Sequence, residues 1–97
     1  NGCLYTSQGP LHIKNAPCAA DDRPIDDACE CLVCRRYSRA YLCHLFRANE
    51  ILGAILNTHH NVFFFLDLMR RIRQAIALGN LARFSSELKA RLATGQP

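Results

Sequence analysis

The spacing of apolar positions changes twice along this chain. Leu4 and Thr6, then Leu11 and Ile13, alternate weakly on either side of a Gln8-Gly9-Pro10 break, a pattern that predicts two short strands around a turn. Residues 15–28 hold Pro17, Pro24 and four aspartates with neither a strand nor a helix period. They predict an irregular loop, of a length that is uncommon in a compact unit unless something pins it. From Ser38 the period becomes helical: Ser38 is placed as the N-cap of a helix through Tyr41, Leu42, Leu45 and Phe46. Ile51, Leu52, Ile55 and Leu56 predict a second short helix that carries Gly53. Asn61 is then expected to cap the longest helix, in which Val62, Phe65, Leu66, Met69, Ile72 and Ile76 form an apolar stripe. Asp67 early, Arg70, Arg71 and Arg73 late, and Gly79 in the C′ position agree with the helix dipole and a glycine stop. A last helix is predicted over residues 85–93.

Ninety-seven residues allow one domain or a piece of one, and a chain this short often needs a staple. With 49% hydrophobic and 21% charged residues, it has the composition of a folded protein and not of a disordered tail. The longest wholly apolar run, residues 62–66, is far too short to cross a bilayer. The chain opens on Asn1, its only methionine is Met69, and no signal peptide is visible at its start, so a mature or truncated product is expected. Charge is uneven: residues 1–30 sum to −3 and residues 31–97 to +7. A basic two-thirds suits contact with an anionic polymer, and equally a plain solvated surface.

Candidate chemistry concentrates in Cys29-Glu30-Cys31-Leu32-Val33-Cys34. Neighbouring cysteines in a C-x-C-x-x-C run are badly placed to pair with one another, whereas three thiolates on one tight loop converge readily on a tetrahedral ion. Zinc prefers this donor set, and histidine is the usual fourth ligand. His12, His44, His59 and His60 are the candidates. His12 falls in the expected hairpin, and His44 lies ten residues beyond Cys34 on a helix leading away from the loop. His59 and His60 stand where the chain is expected to turn back, and the spacing prefers His60. A three-disulfide secreted scaffold fits the even cysteine count but not the clustering. An iron–sulfur cluster would want a fourth cysteine at a familiar spacing, which is absent. Cys3, Cys18 and Cys43 receive no role. Asp21, Asp22, Asp26 and Asp27 are expected to be solvated or capping, and no catalytic constellation or glycine-rich phosphate loop is present.

The same residues carry a resemblance. Cys29-x-Cys31-x-x-Cys34, Tyr37-Ser38-Arg39-Ala40-Tyr41, His44-Leu45, Asn49-Glu50-Ile51-Leu52-Gly53 and Asn57-Thr58-x-His60-Asn61 closely resemble the C-terminal zinc-binding part of bacterial tRNA-guanine transglycosylase (queuine tRNA-ribosyltransferase). Asn1-Gly2, Gly9-Pro10, Ile13-Lys14-Asn15-Ala16 and Leu68-Met69-Arg70-x-Ile72-Arg73 extend the match to about Phe84. The resemblance implies Cys29, Cys31, Cys34 and His60 as ligands of one structural Zn²⁺. It implies a fold that is mostly α with a short β-hairpin, as the C-terminal fragment of an α/β (TIM) barrel with a zinc-binding insertion. Residues 1–20 would end the barrel, 21–60 form the zinc unit, and 61–97 supply helices packing on the barrel.

The activity so implied is cytoplasmic exchange of guanine at the tRNA wobble position for a 7-deazaguanine precursor of queuosine. An aspartate nucleophile attacks the ribose carbon, and a second aspartate handles the proton. Both lie upstream of the residues present, so this chain alone is expected to be inactive. The partners implied are tRNA, the 7-deazaguanine base held by the barrel, and a second subunit. Tyr37, Tyr41 and His44 are expected at the subunit contact, on one helix face. Arg35, Arg36 and Arg39 are candidates for the tRNA backbone, and no membrane contact is expected. A stand-alone zinc-stabilised RNA-binding or dimerisation module is the competing reading.

Overall fold

The computed structural model describes residues 2–94; Asn1 of the resemblance and residues 95–97 of the last predicted segment lie outside that span. Two strands, β1 (Cys3–Thr6) and β2 (Gly9–His12), pair antiparallel, with Thr6 opposite Gly9, Tyr5 opposite Pro10 and Leu4 opposite Leu11. The hairpin is therefore as predicted, but the turn is Ser7-Gln8, and Gly9-Pro10 starts the second strand. Pro10 is tolerated because successive cross-strand pairs alternate between bonded and non-bonded, and its missing N–H falls on a non-bonded pair. Leu4 and Leu11 point into the core, while Tyr5 and Pro10 point outward.

The acidic segment is pinned from several sides. It contains one 3-10 turn, Ala16–Ala20, and is otherwise irregular. Ile25 is wholly buried. Arg39 reaches back from the start of a helix, donating from Nε to the Pro24 carbonyl at 2.9 Å and from Nη2 to the Ile25 carbonyl at 2.9 Å. Asp26 accepts from the Ser7 N–H (2.7 Å), the Ser7 hydroxyl (2.9 Å) and the Ala28 N–H (3.0 Å). Asp26 thus caps, as expected, but it is buried and not solvated. Asp21 pairs with Arg23 at 2.8 Å and lies 3.4 Å from Arg39; its hydrogen bonds from Arg23 hold its carboxyl well below the usual carboxylate range.

Four helices follow: α1 (Leu32–Arg36), α2 (Arg39–Arg47), α3 (Ile51–Ala77) and α4 (Leu81–Thr94). Ser38 caps α2 as predicted, its hydroxyl accepting from the Tyr41 N–H at 3.1 Å. Asn49 ends α2 in the left-handed region (φ 56). There its N–H reaches Phe46 O and the Glu50 N–H reaches Leu45 O, a Schellman stop. Gly79 (φ 71) ends α3 in the same way, with Gly79 N–H to Ile76 O and Asn80 N–H to Ala75 O. The chain re-enters a helix at once, so α4 begins four residues before the predicted start.

The long helix differs from expectation at its start. Asn61 does not open it: α3 runs unbroken for 27 residues, merging the two helices predicted here. The stretch Asn57-Thr58-His59-His60-Asn61 has poor helix formers, but it contains neither Pro nor Gly, and β1 holds the side chains of His60 and Asn61. The stripe of Val62, Leu66, Met69 and Ile76 faces outward. The core lies elsewhere, among Leu4, Leu11, Ile13, Ile25, Val33 and Leu42. Among the described residues no helix is long and apolar enough to cross a membrane.

Gly53 marks the closest approach of α2 and α3. A Cβ there would lie 3.2 Å from Leu45 Cβ and 3.3 Å from both Leu45 C and Phe46 N. Two of these three atoms are backbone, so α2 itself would have to shift. Gly53→Ala should therefore destabilise the fold by about 1–2 kcal/mol in spite of alanine's better helix propensity. The thermal midpoint should fall by several degrees; an unchanged or raised midpoint would show that the crossing has slack.

Candidate metal centre

Local backbone geometry brings the three cysteines together. Cys31 is the N-cap of α1: its Sγ accepts from the Cys34 N–H at 3.3 Å, while Cys29 Sγ accepts from the Cys31 N–H at 3.5 Å. A thiolate can occupy this capping position because it is an anion facing unpaired helix N–H groups. The C-x-C-x-x-C spacing thus puts one sulfur just before the helix, one at its cap and one in its first turn.

His60 closes the set from α3, 26 residues beyond Cys34. Its Nδ1 lies 3.8 Å from Cys29 Sγ, 3.5 Å from Cys31 Sγ and 3.3 Å from Cys34 Sγ. All four donor atoms fall within 4.8 Å of one another. Tetrahedral bonds of about 2.3 Å to sulfur and about 2.0 Å to nitrogen require donors roughly 3.5–3.8 Å apart, so the residues fit one ion. The other ring nitrogen decides the tautomer. Nε2 lies 2.7 Å from the Tyr5 carbonyl, which can only accept, so Nε2 carries the proton and Nδ1 turns its lone pair to the sulfurs.

The outer edge of β1 provides this support. Tyr5 stands at a non-bonded pair, so its N–H and carbonyl face away from β2 and toward α3. His60 takes the carbonyl; Asn61 accepts from the Tyr5 N–H at 3.0 Å and donates to the Cys3 carbonyl at 3.0 Å. Asn61, predicted as a helix cap, instead clamps the strand beside the ligand. Nothing in the spacing signalled this role, because it depends on a strand 56 residues away.

Burial sets the protonation of the site. Burial pushes the Cys29 thiol up to about 11 and the Cys34 thiol higher still, and it pushes His60 down. Without an ion these groups remain neutral; with one, the thiols give up their protons. Four protein donors complete a tetrahedron, so the arrangement can fasten the loop to α3 but leaves no open position for substrate.

The remaining sequence candidates separate. His12, His44 and His59 are exposed and do not join the cluster, and all six cysteines are free thiols. Tyr37 is not on the helix with Tyr41 and His44. It caps the C-terminus of α1 in extended backbone, ahead of Ser38, although its ring stacks on Tyr41 with centroids 5.3 Å apart. Tyr41 and His44 are exposed on α2. Arg35 and Arg36 are exposed in the last turn of α1. Arg39 departs from that pair: it is only 7% exposed and its guanidinium is spent on the loop.

Metal removal should cost the fold more than one contact, because the ion joins the loop, α1 and α3. A chelator, or His60→Ala, is expected to abolish stoichiometric metal and sharply reduce far-ultraviolet helicity; full helicity in metal-free protein would exclude the clamp. Raised thiol pKa values mean that the metal-free fold holds protons which the ion must displace. Apparent metal affinity should therefore rise with pH between about 6 and 8, with proton release on loading.

Comparison with known proteins agrees with this construction. The family model described as queuine tRNA-ribosyltransferase matches residues 1–94. A queuine tRNA-ribosyltransferase of Koribacter versatilis is 57% identical over 79 residues, covering 81% of this chain and 21% of the relative. That of Janthinobacterium sp. is 50% identical over 95 residues, covering 98% and 25%. That of Thioalkalivibrio sulfidiphilus is 48% identical over 97 residues, covering 100% and 26%. The chain thus spans about a quarter of the length of the curated relatives it matches. On this match and this Cys3His cluster, the chain belongs to the queuine tRNA-ribosyltransferase family.

Proposed function

We propose that this chain is the C-terminal zinc-binding part of a tRNA-guanine transglycosylase, which exchanges guanine at the tRNA wobble position for a 7-deazaguanine precursor of queuosine. The observation that carries this reading is the Cys3His cluster, which is built from the stretch by which the chain matches the family. Three sulfurs and one imidazole in a closed tetrahedron favour Zn²⁺. The ion supplies a structural clamp, and this chain's residues do the positioning. Cys29, Cys31 and Cys34 hold the loop, His60 holds α3, and Tyr5 with Asn61 holds the hairpin edge.

In the whole protein, residues 1–20 end a (β/α)8 barrel, 21–60 form the zinc unit and 61–97 pack on the barrel, with α3 shared between the last two. Tyr37, Tyr41 and His44 meet the second subunit; the stacking of Tyr37 on Tyr41 supports one aromatic surface there. Arg35 and Arg36, exposed together, meet tRNA phosphates, which position without reading sequence. Arg39 serves the loop instead. The reading places the enzyme in the cytoplasm, with its substrate tRNA.

The catalytic aspartates of this reading lie upstream, and Asp21 and Asp26 are engaged in structure. The 97-residue chain should bind one equivalent of zinc and exchange no labelled guanine into tRNA, whereas a protein in which the barrel precedes it should do so. Exchange by the short chain would overturn the assignment. In the longer protein, Arg35→Ala and Arg36→Ala should each flatten the dependence of log tRNA affinity on log salt by about one unit. An unchanged slope would remove that arginine from the phosphate contact.

A further inference from the structure

The three sulfurs of the metal centre are not held alike. Cys31 caps α1 and Cys34 stands in its first turn, so the helix sets both. Cys29 precedes the helix, and its Sγ is the sulfur farthest from His60 Nδ1, at 3.8 Å. What fixes Cys29 is a tight turn over residues 26–29. The Cys29 N–H donates to the Asp26 carbonyl at 3.1 Å, and the Ala28 N–H donates to Asp26 Oδ1 at 3.0 Å. Aspartate at the first position of such a turn closes it twice, once through its carbonyl and once through its side chain.

The same carboxylate reaches the hairpin. Asp26 Oδ2 accepts from the Ser7 N–H at 2.7 Å, and Oδ1 accepts from the Ser7 hydroxyl at 2.9 Å. The Asp26 backbone also hydrogen-bonds toward the Cys34 thiol, which eases its deprotonation against the opposing effect of burial. The carboxylate itself stays out of the donor cluster, which comprises Cys29, Cys31, Cys34 and His60. Asp26 is only 7% exposed, so these bonds are sheltered from competing water.

We propose that Asp26 is a positioning residue of the metal centre, setting Cys29 for coordination and tying that ligand to Ser7 of the hairpin. Groups that orient metal ligands from behind matter for retention, and their loss typically lowers affinity about 10–100-fold. Without the carboxylate, the Ser7 N–H, the Ser7 hydroxyl and the Ala28 N–H lose their acceptor, and the turn no longer holds Cys29 toward His60. His60 is joined to the hairpin separately, through the Tyr5 carbonyl. The hairpin thus meets the centre at two points, Tyr5 behind the imidazole and Ser7 behind a sulfur. This inference rests on the metal reading of the Cys3His cluster and not on the transglycosylase reading.

The test loads the 97-residue chain with Co²⁺ in place of zinc, because thiolate-to-cobalt charge-transfer and ligand-field bands report the donors directly. The unmutated protein should take up one equivalent with the bands of a tetrahedral site; no uptake would remove the metal centre itself, and this proposal with it. Asp26→Ala should then weaken the charge-transfer band and speed release to a chelator about 10–100-fold. Ser7→Ala, which removes only the hydroxyl bond, should speed release about fivefold. Gly53→Ala is the stability control: it disturbs the crossing of α2 and α3 away from the sulfurs, and should change neither spectrum nor release rate. If Asp26→Ala does not fold, Ser7→Ala decides alone. The spectrum and release rate of the unmutated protein in the deciding variant overturn the proposal, whatever the thermal midpoint. So does an equal acceleration in Gly53→Ala, which would reduce the effect to one of stability.

Discussion

One hydrogen bond organises the first sixty residues of this protein. The Tyr5 carbonyl, 2.7 Å from Nε2 of His60, fixes which ring nitrogen carries the proton and so which one faces the cysteines. A carbonyl on the free edge of a two-stranded hairpin would ordinarily be left to water. Here the metal ligand takes it, and the neighbouring Asn61 takes the Tyr5 N–H and the Cys3 carbonyl. A short hairpin is marginal alone. Its docking on α3 and the orientation of the metal ligand are the same set of contacts, so neither survives without the other.

The acidic loop is ordered by a similar economy of buried polar partners. Arg39 replaces two lost carbonyl–water contacts with charge-assisted hydrogen bonds to Pro24 and Ile25. Asp26 satisfies Ser7 and Ala28 just where the loop passes the hairpin turn. The bond to Ala28 is local, but those of Arg39 and Ser7 are long-range and tie the loop to the start of α2 and to the hairpin turn. A segment with almost no secondary structure therefore enters the core through Ile25 and carries Cys29 to the metal centre.

Beyond His60 the balance changes. The first two-thirds bury a core; α3 then extends past it with its apolar stripe outward, Tyr5 packed on Phe64 and Phe65, and α4 folded against it. The glycine stop at Gly79 and the Asp67 pairs with Arg70 and Arg71, both 2.9 Å, make this arm a well-formed helix in its own right. Its exposed face is ordered, not ragged, and so it presents a surface of definite geometry to whatever covers it.

Much of this was legible in the amino-acid order because it depends on near neighbours. The hairpin, the Ser38 cap, the Gly79 stop and the convergence of Cys29, Cys31 and Cys34 all follow from residues within a few positions of one another, where spacing dictates geometry. His60 was preferred over His59 on spacing and singled out by the family resemblance; its ring orientation was not legible, since that depends on a carbonyl 55 residues away. Asn61 carried the chemistry of a helix cap, and only the neighbouring strand turned its amide into a clamp and let α3 run through. Arg39 read as a surface cation beside Arg35 and Arg36 until folding set backbone carbonyls against it. A periodic stripe shows that a helix has an apolar face, but not which way that face turns. That depends on which polar groups on the opposite side are already bonded, and in α3 His60 and Asn61 are held by β1, leaving the stripe outward.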